Sequence, residues 1–144
     1  KKPWIAAAGL VIVLACGALW AGTPGASSAV ILGTLVAYAL ATVATEIAGV
    51  FNNAMMPRLV PPERLGWLSG AGWALGYAGG LVSLVLVLGF LAAVPETGRT
   101  YLGLEPLFGL DPAMREGDRA TGPLTALWFV VFCLPLMLFT PDVP

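Results

Sequence analysis

Four apolar tracts, at about 4–21, 28–56, 63–94 and 121–140, take up most of this chain. Each is close to the roughly 20 residues a helix needs to cross the hydrocarbon of a bilayer. They are too long for strands, and a spanning helix satisfies its own backbone groups, which lipid cannot do. Proline and glycine mark the joints between them. Pro3 suits a first helical turn, and Gly22-Thr23-Pro24-Gly25 makes an uncharged tight turn. Ser27 or Ser28 is placed to cap the second helix, which Pro57 should break. Pro61, Pro62 and Glu63 suit the start of the third helix, and Pro95 its end. Thr121-Gly122-Pro123 reads as a cap and first turn for the fourth, and Pro135 should kink that helix.

Composition decides what surrounds these helices. Charged residues make up 10% of the chain, hydrophobic residues 58%, and mean hydropathy is +0.88. A soluble domain carries about a quarter charged residues, so this chain lacks the polar surface to stay dissolved. The expected fold is an all-α membrane protein with four transmembrane helices. A net charge of -1 gives no electrostatic reason to expect nucleic acid as a partner. Cys16 and Cys133 both lie in apolar tracts and read as packing residues rather than a disulfide. Histidine is absent, which removes the commonest metal ligand and general base, and no metal or cofactor is expected. The tract after Lys1-Lys2-Pro3, at about 18 residues, exceeds the usual core of a signal peptide. It is expected to be a span from within a longer protein.

The third tract opens with a glycine run. Gly72, Gly76 and Gly80 recur at every fourth position, and Gly66 and Gly70 form a second such pair. Each interior glycine costs a water-exposed helix about 1 kcal/mol relative to alanine, whereas in a membrane small residues let two helices approach closely. Gly72, Gly76, Gly79, Gly80 and Ser83 fall on one face, which is expected to pack against a neighbouring helix. Gly66, Gly70, Trp73 and Tyr77 fall on a second face, with the aromatic pair toward a cavity or lipid.

One carboxylate stands well inside a span. Glu46 lies ten residues before Met56, so about 15 Å from that helix end. Such groups usually face a protein interior or a wet cavity. Thr42, Gly49 and Asn53 share its helix face and make a polar stripe. The stripe reads either as a proton-coupling or substrate-binding site or as a structural carboxylate bonded to another helix. Asn52 and Asn53, near the same end, could bind substrate or bond helix to helix, and Trp73 and Tyr77 could line a substrate path. Enzyme readings are poor: Ser69-Gly70 has no histidine base within reach, and no aspartate pair occurs in the spans. The loop at about 95–120 carries eight of the fifteen charges, and its Tyr101–Leu110 stretch is apolar enough to lie along a membrane surface. Lys1, Lys2, Arg58 and Arg64 lie on one side of the four spans, and Arg99, Arg115 and Arg119 on the other. The side richer in basic residues is expected in the cytoplasm, with both termini.

Several of these residues also form a family pattern. Glu46 stands five positions before Phe51, which opens Phe51-Asn52-Asn53-Ala54-Met55-Met56-Pro57. Pro61-Pro62-Glu63-Arg64-Leu65-Gly66 follows, and then Ser69-Gly70-Ala71-Gly72-Trp73-Ala74-Leu75-Gly76-Tyr77-Ala78-Gly79-Gly80. The pattern resembles the vacuole-effluxer-like (autophagy-related) permease branch of the major facilitator superfamily, and Leu127-Trp128-Phe129 fits it too. Asn52 departs from it where the family commonly has tyrosine, and Arg58 where it commonly has an acidic residue. The resemblance implies that the four spans are the third to sixth helices of a twelve-helix transporter in a bacterial inner (cytoplasmic) membrane. It also implies alternating access, a small solute as partner with amino acids as the suggested class, and the remaining helices of the transporter around these four. Two rivals remain: a small four-span exporter working as a dimer around one membrane carboxylate, and a non-transporting scaffold subunit.

Overall fold

The structure, a computed structural model, describes residues 1–142. The last two residues of the expected 1–144 unit lie outside the described residues. Helix α1 (Lys2–Ala18) runs on through a 3-10 turn, Leu19–Ala21. α2 spans Ser28–Leu59, and α3, Pro62–Leu86, widens into a π turn at Val87–Leu91. After a structured loop come the short α4 (Glu116–Arg119) and α5 (Thr121–Phe139). No strand occurs among the described residues, so the fold is all-α, as expected. The segments Lys2–Ala21, Ser28–Leu59, Pro62–Leu91 and Glu116–Phe139 are each long and apolar enough to cross a membrane.

The boundaries have local causes, and three differ from expectation. α2 passes through Pro57 instead of breaking there. It ends where Val60 and Pro61 both turn extended, with ψ of 154° and 155°, each of them preceding a proline. A proline pushes its predecessor out of the helical region, so the pair Pro61-Pro62 is the terminator. α3 ends short of Pro95: the Ala92 N–H donates to the Val87 carbonyl at 2.7 Å, five residues back, and the helix stops in a widened turn. Thr121 does not cap α5. Its hydroxyl donates to the Asp118 carbonyl at 2.6 Å, and α4 leads into α5 through Ala120, whose backbone is helical. Ser27 does cap α2, accepting from the Val30 N–H at 3.5 Å.

α1 is the centre of the packed part, running along α2 on one side and α5 on the other. Its buried face is Ile5, Ala8, Ile12, Ala15 and Cys16. Against it α2 presents an alanine stripe, Ala37, Ala41, Ala44 and Ala48, all buried, with Met55 fully enclosed below. Alanines at spacings of three and four let the two backbones close together while the isoleucines fill the space between. The α1–α5 contact depends on two glycines. A Cβ on Gly9 would stand 2.7 Å from the Phe129 ring, and one on Gly122 would strike the Cys16 carbonyl and stand 2.9 Å from Leu19 Cβ. Arg119 clasps the same end: its Nε and Nη2 donate to the Trp20 carbonyl at 2.9 and 2.5 Å, and its guanidinium lies 4.5 Å over the Trp20 ring. A cation thus sits on the negative end of α1.

α3 is different. It has no buried residue and touches α2 at few points. Its far end is held by the loop, where the Tyr101 N–H donates to the Leu88 carbonyl at 3.1 Å and Gly117 abuts the Leu91 backbone. The glycine run is helical, as expected. The neighbour expected against its bare face is not found among the described residues: a Cβ at Gly66, Gly70, Gly72, Gly76 or Gly80 would meet nothing within 4 Å. Gly79 alone of the run faces a side chain, Trp128, with Nε1 3.8 Å from where its Cβ would be.

Candidate functional site

The predicted site residues fall into two groups, both bordered by one face of α2. Residues 38, 42, 45, 46, 49, 52, 53 and 56 lie on that side at about 100° per residue. The alanine stripe lies behind it, and Val36, Leu40, Val43, Ile47 and Val50, all exposed, make a third, wholly apolar face. A helix with an alanine seam, an apolar side and a polar side fits a position between a helix partner, lipid and a wet cavity.

Glu46 and Thr42 border a groove of about 340 Å³ between α2, the end of α1 and the start of α5. Tyr38, Thr45, Thr121 and Thr125 border it as well, over a floor that includes Cys16, Leu19 and Ala41. α5 reaches this position because Gly122 lies directly on the α1 backbone and Arg119 holds the adjoining turn. Each threonine hydroxyl is oriented by its own helix. Thr42 donates to the Tyr38 carbonyl at 2.9 Å, Thr45 to Ala41 at 2.8 Å and Thr125 to Thr121 at 2.8 Å. Glu46 is exposed within the chain, and among the described residues it has neither an ion pair nor a hydrogen bond.

Asn52, Asn53, Trp73 and Tyr77 meet elsewhere, in a cleft of about 400 Å³ between α2 and α3 that Met56, Leu68, Ser69, Gly72 and Gly76 also border. The Trp73 and Tyr77 rings lie 6.0 Å apart, tilted by 32°, along one wall. Gly72 and Gly76, from the glycine face, and the aromatic pair, from the face beside it, border the same cleft. Neither asparagine makes a side-chain hydrogen bond among the described residues, so both amides are free to bond a ligand. Gly49 lies between the two groups and borders neither, and nor do Gly79, Gly80 and Ser83.

Four groove residues escaped sequence reasoning: Tyr38, Thr45, Thr121 and Thr125. Tyr38 and Thr45 carried a readable signal, since they lie four positions before Thr42 and Gly49 of the polar stripe, on the same side of α2. Thr121 and Thr125 carried only their own four-residue spacing, and nothing local ties them to a carboxylate some 75 positions earlier. Comparison with protein-family models, curated proteins and solved structures gave no match to this chain.

Proposed function

We propose that this chain is part of a secondary transporter that moves a small solute by alternating access, with Glu46 as its coupling or binding carboxylate. The observation that carries the reading is Glu46 itself: an ionisable group mid-way along a membrane-length helix, on the rim of a groove bordered by four threonines. A carboxylate in that position costs several kcal/mol on insertion scales and marks ion or substrate pathways more often than not. The 46–80 motifs support the finer reading, a vacuole-effluxer-like permease of the major facilitator superfamily in a bacterial inner membrane. In it these helices are the third to sixth of twelve, the termini are cytoplasmic, and amino acids are the suggested substrate class. The uncovered face of α3 then receives another helix of the same transporter.

Uptake of a radiolabelled amino-acid mixture into proteoliposomes under an imposed pH gradient tests this in the intact protein. Glu46→Gln should lower the initial rate by about tenfold or more, a loss of the order expected for removing one charged partner. Undiminished, pH-independent uptake would take Glu46 out of the mechanism. Absence of any flux from the wild type would favour the scaffold reading.

A further inference from the structure

The hydroxyls around Glu46 have a polarity of their own. A threonine hydroxyl has one proton to donate and lone pairs that accept. Thr42, Thr45 and Thr125 each give that proton to a backbone carbonyl one turn back, and Thr121 gives its proton to Asp118. Each of these oxygens keeps a lone pair for a further partner, and the Glu46 carboxylate beside them is, when ionised, an acceptor with no proton to give. Tyr38 alone keeps a strong side-chain donor, and no lysine or arginine borders the space. Such a lining repels a carboxylate or phosphate and calls for a partner that brings donors or positive charge.

We propose that the Glu46 groove is a site for a monovalent cation, with the Glu46 carboxylate as counter-ion and the oxygens of Thr42, Thr45, Thr121 and Thr125 as further acceptors. The charge fits a single positive ion, because Glu46 is the one acidic side chain among the residues that border the groove. The chemistry is common to a hard metal ion such as Na⁺ and to a protonated primary amine. It leaves the anionic half of a zwitterion with no partner in this groove. The site rests on Glu46 being the working carboxylate proposed above, and it specifies what that carboxylate binds.

The test is calorimetric titration of the purified protein in lipid nanodiscs at constant ionic strength. Sodium chloride, methylammonium chloride and tetramethylammonium chloride are the three probes. Saturable heat with sodium alone assigns a metal ion, and heat with methylammonium alone assigns an amine. Heat with both supports the shared chemistry. In each case Glu46→Gln should weaken binding by at least about tenfold, and Thr45→Val by a few fold. Should Glu46→Gln not fold, the Thr45→Val titration carries the test. No saturable heat, equal binding by tetramethylammonium (which has no N–H), or binding indifferent to both variants would overturn the site. Glu46-dependent flux without cation heat would remove this inference and leave the transport proposal standing.

Discussion

Helices α2 and α3 both carry small residues at spacings of three and four, yet they are used in opposite ways. The alanines of α2 are buried against α1, whereas the glycines of α3 stand open. Neighbours decide the difference. The α2 stripe faces a helix whose own surface alternates alanine with isoleucine, so backbones close and methyl groups fill the seam. On α3 the large rings of Trp73 and Tyr77 stand beside Gly72 and Gly76 and border a cleft with them. Small residues at this spacing permit close approach; they do not say whether the chain itself provides the partner.

The contrast is easiest to break where α1, α2 and α5 meet. Gly122→Val drives a side chain into the Cys16 carbonyl and should cost about 3 kcal/mol or more, read as loss of folded protein in a detergent melt. A wild-type melting curve would show that α5 does not press on α1. Ala44→Leu overfills the alanine seam and should cost about 1–3 kcal/mol by the same measurement. Gly76→Leu is the counterpart on α3. Among the described residues its Cβ meets open space, so stability should not fall, and the better helix former should add up to about 1 kcal/mol. In the proposed twelve-helix transporter the same leucine should wedge two helices apart and lower the yield of intact protein. A large loss in the 144-residue chain alone would erase the distinction between the helices.

The smallest effect concerns the tie between the start of α1 and the end of α5. The Lys2 N–H donates to Asp142 Oδ1 at 3.0 Å, and Lys2 Nζ donates to the Thr140 carbonyl at 2.7 Å. Lys2→Met keeps the backbone bond and removes the side-chain one, and should cost about 0.5 kcal/mol or less in the same melt. A larger loss would show that this tie helps hold α5 against α1.

Four membrane-length helices were legible because twenty-residue apolar tracts admit few other structures, and the polar face of α2 because Glu46 draws attention to its neighbours. The alanine seam was not, since alanine at positions 37, 41, 44 and 48 is indistinguishable from ordinary apolar filler until a partner is known. Gly9, Gly117 and Gly122, the glycines with the tightest contacts, sit singly and form no pattern. The run that did form a pattern is the one this chain leaves uncovered. The end of α3 misled for a related reason: Pro95 marks a stop, but the helix had already widened where the loop folds back onto Leu88. Each of these depends on contacts between segments far apart in sequence, which no local signal encodes.

Wetness of the α2 polar face inside the bilayer is the claim on which the functional account turns, and thiol accessibility measures it directly. In a Cys16→Ala, Cys133→Ala background, Thr42→Cys on the groove and Ile47→Cys on the apolar side are exposed to a membrane-impermeant cationic thiol reagent in proteoliposomes. Thr42→Cys should react about tenfold faster or more, because only the thiolate reacts, its formation needs water, and the Glu46 charge attracts the reagent. Equal inertness at both positions would deny a wet groove beside Glu46, and equal reactivity would deny that α2 lies in lipid at all.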